Sequence, residues 1–293
     1  MLFHRLQFNP RSAVPSSPSL LSPDNAFAPS RKGWSSDLEA LAQATLPDFL
    51  LRQRWYPAKD AGRPEIAPKV VLPLSISGLR AAITVWQTTP PNQAPMLLFI
   101  PLAVVPLDMA AESQVIAAIP IEGDVTLGLV EAFSVDGFVR SWIEIMLRGD
   151  ERWALGPLRG VQTTAVAGAS LSPGGEFSIR RSSAEQSNTS MRIGERAILK
   201  VIRKLEEGVH PELEVGRFLT SEAAFGATPA LLGWTELDGV AGSGAMTLSV
   251  LQAFVPNEGD GWTWVVERLA RPEGHAASVE WLRRLGRRTA EMH

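Results

Sequence analysis

The residues with the clearest chemical potential lie between Arg180 and Lys200. Two short strand-like runs, 177–181 and 191–193, flank a polar segment that ends Glu185-Gln186-Ser187-Asn188-Thr189-Ser190. A turn at Gly194-Glu195 then leads into 197–202, the most strand-like run of the chain, which carries Lys200. A helix expected over 212–219 supplies Glu212 and Glu214. Binding the phosphates of a nucleotide needs such parts: N–H groups and small hydroxyls of a hairpin loop around the oxygens, a strand lysine to neutralise them, and a helix carboxylate to hold that lysine. Adenine would rest against Val201, Met246 and the run Leu251-Gln252-Ala253-Phe254, whose main chain could pair with the base edge. The same residues also describe a plain turn beside a strand lysine reaching for water. No Gly-x-Gly-x-x-Gly or Walker sequence is present to separate the two readings, and spacing alone favours the plainer one.

Other chemistries find less support. The chain has no cysteine, which excludes disulfides, thiolate metal sites and a cysteine nucleophile. His4, His210, His275 and His293 are isolated and lack the spacing of zinc ligands. No nucleophile elbow points to a Ser-His-Asp triad. Arg283, Arg284, Arg287 and Arg288 form a basic helix face that, with Glu280, reads as a solvated, salt-bridged surface. Trp142, Trp262 and Trp264 read as core or interface anchors rather than sugar-stacking platforms.

The elements that must position these residues follow from periodicity. Residues 1–35 interleave prolines and serines without period, as a disordered tail does, and carry no apolar core of a signal peptide. Ser36-Asp37-Leu38-Glu39 reads as a capping box opening one helix, and a second short helix is expected from Pro47 to the stop at Pro57. Runs 69–74, 79–87 and 96–105 have strand character; 136–147 places Phe138, Trp142 and Ile145 on an apolar helix face. Further strands are expected over 228–237 and 246–254, and helices over 263–269 and from Ser278 onward. The chain has 293 residues, a net charge of −3 and 45% apolar content, values of a globular protein without the basic excess of a nucleic-acid binder. Its most apolar stretch, 96–107, is too short to span a bilayer and contains Pro101 and Pro106, so a cytoplasmic protein is expected.

Two stretches resemble the bacterial maltokinase family. Leu46-Pro47-Asp48-Phe49-Leu50 through Gln53-Arg54-Trp55-Tyr56-Pro57-Ala58-Lys59 is similar to the opening of that family's N-terminal cap domain, with Tyr56 where Phe is usual. The second comprises 185–190, Ile198-Leu199-Lys200, and the run from Leu205 through His210-Pro211-Glu212-Leu213-Glu214 to Leu219. The resemblance extends from Ser36 to the C-terminus. It implies an α+β fold: a β-rich cap domain (36–107), an intermediate region and kinase-like N-lobe with an antiparallel sheet and a helix (108–255), and only the first helices of a C-lobe (256–293).

Position by position, the resemblance makes Lys200 the phosphate-contacting lysine and puts Ser187, Asn188, Thr189 and Ser190 in the phosphate loop. It makes Glu214 the helix carboxylate, ahead of Glu212, and brings Gln252, Ala253 and Phe254 to the adenine. The implied cofactor is ATP with Mg2+, and the implied reaction is phosphorylation of maltose to maltose 1-phosphate. Such kinases need a His-x-Asp loop and a later metal-binding aspartate. After Lys200 the only aspartates are Asp238 and Asp260, and neither sits in that setting. The last helix has no stop signal before His293. The expectation is therefore the front portion of a maltokinase, inactive alone, with no catalytic or metal-binding residues of its own. The alternative is a non-catalytic module docking on trehalose synthase or on a separately encoded C-lobe.

Overall fold

The computed structural model describes residues 28–29, 34–76, 79–120, 126–148, 157–181, 188–238, 244–271 and 275–293. The first part runs β1 (Ala28–Pro29), α1 (Ser36–Leu51), β2 (Glu65–Ile76), β3 (Leu79–Thr89), β4 (Met96–Phe99), β5 (Leu102–Pro106), β6 (Val115–Pro120) and β7 (Thr126–Glu131). A helix, α2 (Asp136–Arg148), separates it from the second part: β8 (Leu158–Gln162), β9 (Ile179–Arg181), β10 (Thr189–Ile193), β11 (Ala197–Val201), β12 (Lys204–Leu205), α3 (Pro211–Arg217), β13 (Leu231–Leu237), β14 (Met246–Ala253), α4 (Gly261–Leu269) and α5 (His275–Met292).

Helix α1 is continuous where two helices were expected. Its cap is Ser35, one residue earlier than the anticipated box, with the Ser35 hydroxyl accepting from the Leu38 N–H at 3.3 Å. Pro47 removes the donor to the Gln43 carbonyl, but Gln43 is exposed and water can serve that oxygen. The helix carries on because Leu46, Pro47, Phe49 and Leu50 are all buried against the sheet.

The first sheet has the order β1-β2-β3-β5-β7-β6, with β4 branching from β3 and pairing in turn with β12. Pro68 and Pro73 are tolerated because β2 lies next to the edge, with only two-residue β1 beyond it. Period-two alternation along β3 sends Ala82 and Trp86 toward α1, and Ala81, Ile83 and Val85 toward the opposite core. The run 96–105 is two strands instead of one, broken at Ile100-Pro101. Residue 107, where a domain boundary was expected, falls inside this sheet, because β5 pairs with β7 far along the chain.

The second sheet is antiparallel throughout, in the order β8-β13-β14-β11-β10-β9. Between the sheets lies α2. Its residues Phe138, Trp142, Ile145 and Met146 share one core with Ile83 and Val85 of β3 and with Met191, Leu199 and Leu251 of the second sheet. The Trp142 indole N–H donates to Ser249 Oγ at 2.9 Å, satisfying the only polar group of a side chain buried in that core. Packing is close enough to demand glycine at 160: a Cβ there would lie 2.3 Å from the Ile145 carbonyl oxygen. Strand β8 was not foreseen; it extends the second sheet past β13 at the place where α2 packs.

The C-terminal helices α4 and α5 form a pair in which Trp264 and Trp281 stand 5.3 Å apart. Trp262, expected as an anchor, is 80% exposed. The arginine face of α5 is salt-bridged as expected, at a spacing of three residues: Arg283 to Glu280 at 2.7 Å and Arg288 to Glu291 at 2.6 Å. No helix among the described residues is long and apolar enough to cross a membrane.

Candidate functional site

The candidate site is built on the β9–β10–β11 hairpins and α3. Ser187, like Glu185 and Gln186, lies outside the described residues. Asn188 is half-buried at the foot of β10, and Thr189 begins that strand. Alternation then divides the predicted loop residues. Ser190 stands opposite Lys200 across the β10–β11 ladder, so both occupy one face of the sheet. Thr189 points to the other face, where its hydroxyl accepts from Arg203 Nε at 2.8 Å. Among the described residues Ser190 Oγ, buried beside Lys200, has no hydrogen-bond partner.

Lys200 Nζ donates to Glu212 Oε2 at 3.0 Å. The expected partner was Glu214, and helix geometry explains the exchange. His210 caps α3, its Nδ1 accepting from the Glu212 N–H at 3.2 Å, and Pro211 fills the first position. Leu213 and Gly216 are buried beneath the helix, which directs Glu212 to the lysine. Two residues further on is a rotation of about 200°, and Glu214 is exposed on the far side. The Lys200–Glu212 pair is itself partly open, with side-chain exposures of 28% and 31%, so a ligand can reach it.

The adenine-side residues are placed differently from expectation. Val201 and Met246 belong to the core on the other face of the sheet and are closed to any ligand. Ile198, two residues before Lys200 and half-buried, is the aliphatic side chain on the lysine's face, opposite Gln252 in the ladder. The N–H of Ala253 donates to Ala230 O and that of Phe254 to Arg196 O, both at 2.8 Å. The Phe254 ring lies under the Arg192 guanidinium, 3.9 Å from its centroid. The next residue, Val255, is exposed, and its carbonyl accepts from Asn257 Nδ2 at 3.0 Å. Strand period applied to 197–201 would have separated Ile198 and Lys200 from Leu199 and Val201.

Three residues beyond Lys200, sequence reasoning missed a buried charge cluster. Arg203 donates from Nη1 to Glu131 Oε1 at 2.9 Å, with side-chain exposures of 2% and 4%. Its guanidinium stacks on Trp55 at 4.9 Å and on Phe133 at 5.6 Å. Glu131 ends β7 and Arg203 follows β11, so the pair fastens the two sheets together, with Trp55 of the α1–β2 connection over it. The hint in the sequence was Gln53-Arg54-Trp55-Tyr56, too polar for a helix end that is so deeply buried.

The two late aspartates sit at the ends of elements. Asp260 caps α4, its carboxylate accepting from the Thr263 N–H at 2.8 Å; that bond to the Thr263 backbone, helped by the Thr263 side chain, holds its pKa below the usual carboxylate value. Asp238 follows β13, its N–H bonded to Pro157 O at 2.7 Å. Among the described residues no group of three or more acidic or histidine side chains could hold a metal ion.

Comparison with known proteins gives a consistent fold. No protein-family model matches the chain. A solved structure of a glucosamine kinase in complex with glucosamine, ADP and inorganic phosphate is similar with a TM-score of 0.52 and 19% identity, over 87% of this chain and 50% of that one. A second crystal form of glucosamine kinase gives 0.54 and 19%, with the same coverage. The chain thus has a sugar-kinase-like fold and spans about half the length of these structures.

Proposed function

We propose that this chain carries the nucleotide-binding half of an ATP-dependent sugar kinase. The observation that carries the reading is the Lys200–Glu212 pair at 3.0 Å, set between a strand hairpin and a helix on the accessible face of a kinase-like sheet. A strand lysine held by a helix carboxylate is the arrangement by which kinases grip nucleotide phosphates. ADP is the nucleotide held by the similar glucosamine kinase, which agrees with ATP as the donor here.

The residues fit ATP but not its metal. Mg2+ would need carboxylates beyond Glu212, and among the described residues no cluster provides them. In this reading the catalytic base and the metal ligands come from outside the described residues, as this chain matches 50% of the glucosamine kinase chain. Maltose as acceptor, giving maltose 1-phosphate, rests on the resemblance of 46–59 and 185–219 to maltokinases. Glucosamine is the alternative acceptor that the structural neighbours raise. Titrating the purified chain with ATP tests the nucleotide assignment. Binding weakened about tenfold or more by Lys200→Ala supports it, since a charge-assisted contact contributes about 1.5–3 kcal/mol. Equal binding by both proteins refutes it. Maltose- or glucosamine-dependent ADP release is expected to stay at background for this chain, and turnover with one sugar alone would name the acceptor.

A second reading is favoured by the exposed apolar side chains of the last helices. Trp262, Val266, Leu282 and Leu285 lie open on α4 and α5. We propose this surface as the contact for the C-lobe, encoded in the same or another chain, or for trehalose synthase. Co-purification with either one supports docking. A monomer that binds neither counts against it.

A further inference from the structure

A cavity of about 400 Å³ opens where the α1–β2 connection, the end of β7 and the start of β10 meet. It lies on the opposite side of the sheet from Lys200. Among the described residues that line it, four are arginines, Arg52, Arg54, Arg181 and Arg203, and one is a carboxylate, Glu131. Glu131 is already bound to Arg203, and Arg181 reaches out to Asp136 at 2.8 Å. Arg203 donates from Nε to Thr189 and from Nη1 to Glu131 and the Phe99 carbonyl, while no described residue accepts from Nη2. A buried guanidinium with an unused donor on a cavity wall, with further arginines at the rim, concentrates anions there. Guanidinium forks match the paired oxygens of a phosphate better than any other side chain does. Buried Trp55 adds an aromatic wall, and the buried Gln53 amide, 3.5 Å from the Ser113 carbonyl, adds polar groups suited to hydroxyls.

We infer that this cavity is a second ligand site, for a phosphorylated sugar, separate from the nucleotide face. The phosphate sits among the arginines and the ring against Trp55. The site has a direct mechanical link to the nucleotide side. The Arg203 that would meet the phosphate also holds Thr189, and the next residue, Ser190, stands opposite Lys200. A ligand that takes hydrogen bonds from Arg203 therefore acts on the foot of the phosphate-loop strand. The regulatory consequence rests on the kinase reading above: a sugar phosphate of the kind such a kinase makes would alter the grip on ATP. The binding site itself does not depend on that reading.

Calorimetric titration of the intact chain separates the outcomes, with glucose 6-phosphate, inorganic phosphate and glucose as probes. Glucose 6-phosphate is expected to bind at one site, about tenfold tighter than inorganic phosphate, and glucose not at all. Arg52→Ala combined with Arg54→Ala removes two exposed rim guanidinium groups, with the bond from Arg52 Nη2 to the Val115 carbonyl at 3.3 Å, and should weaken that binding about tenfold or more. Lys200→Ala should leave it unchanged. The site is overturned if glucose 6-phosphate does not bind, or if its binding is lost in Lys200→Ala and kept in the double variant, which would place the anion on the nucleotide face. Equal affinity for inorganic phosphate and the ester overturns the sugar part of the assignment. Linkage requires saturating glucose 6-phosphate to shift the ATP affinity of the wild-type chain, and by the same factor in reverse. An unshifted ATP affinity overturns the regulatory role. Failure of ATP to bind at all instead refutes the kinase reading and leaves the cavity's titration standing.

Discussion

Lys200 and Arg203 are three residues apart and each is paired with a glutamate, yet the two pairs belong to different kinds of chemistry. Lys200 and Glu212 meet on the open face of the second sheet, each about a third exposed. Arg203 and Glu131 meet between the sheets, almost wholly enclosed, with Thr189 and the Phe99 carbonyl also accepting from the arginine. Water screens the first pair, so it adds little to stability and can exchange its partner for a phosphate. The second pair lost its hydration on folding and recovers that cost only while every bond is kept. The end of β11 thus separates an open pair that can exchange partners from an enclosed pair that holds the two sheets together.

The largest effect should come from splitting the enclosed pair. Glu131→Ala leaves the Arg203 charge buried and unpaired, and is expected to cost about 3–5 kcal/mol. Thermal unfolding would register this as a loss of many degrees, or as failure to fold. Replacing both partners with apolar residues, Glu131→Leu with Arg203→Met, should recover much of the loss, because neither charge then needs solvation. If the double variant is no better than Glu131→Ala, packing with Trp55, and not charge, holds the junction.

The open pair should behave in the opposite way. Lys200→Ala is expected to change stability by less than about 1 kcal/mol, as for other partly exposed ion pairs, while weakening ATP about tenfold or more. Chemical denaturation and nucleotide titration of one preparation measure both quantities. A large loss of stability with intact ATP binding would reverse the roles given to the two pairs.

How much of this was legible follows from the range of each interaction. Lys200 on a strand, the hairpin before it and the helix after it could be read because each is a local pattern of periodicity and capping. The helix over 136–147 was equally plain, since Phe138, Trp142 and Ile145 repeat at helical spacing. What failed was phase and distance. Val201 was assigned to the ligand face although one step along a strand reverses the side chain. Glu214 was preferred to Glu212, although Leu213 and Gly216 fix which side of α3 is buried. The pairing of β5 with β7 across the expected boundary at 107 was not legible, because no local signal reports such a pairing. Arg203 and Glu131 are 72 residues apart, and nothing in either neighbourhood announces the other.

A smaller effect is expected at Tyr56, which lies in the α1–β2 connection and, unlike Arg203, is poorly satisfied. Its phenol oxygen is buried, and among the described residues it has no hydrogen bond of good geometry, only the Thr88 hydroxyl close enough to interact. Burial raises the phenol above its ordinary pKa of 10.0, and Thr88 opposes this only in part. The folded chain therefore keeps this proton at a pH where the unfolded chain releases it, so stability falls as pH rises past 10.0. Tyr56→Phe removes an unsatisfied hydroxyl and should be neutral or stabilising by about 1 kcal/mol at pH 7. Its margin over wild type should widen above pH 10.0, as measured by denaturation at several pH values. A margin that shrinks with pH would mean that the phenolate is well accommodated in the fold.

The smallest expected effect is the sharpest test of the open pair. Glu212→Gln and Glu214→Gln make the same chemical change two positions apart on α3. Only Glu212 touches Lys200, so only Glu212→Gln should release the lysine from its place and weaken ATP. The expected loss is about three- to tenfold, less than for removing the lysine itself, because the ammonium remains available to phosphate. Glu214→Gln should alter ATP affinity and stability by less than about 0.5 kcal/mol, the range of exposed surface substitutions. Equal losses in the two variants would show that α3 rotates when nucleotide binds and brings Glu214 to the lysine. That result would restore the carboxylate favoured by the sequence resemblance and make the helix, not the sheet, the moving part of the site.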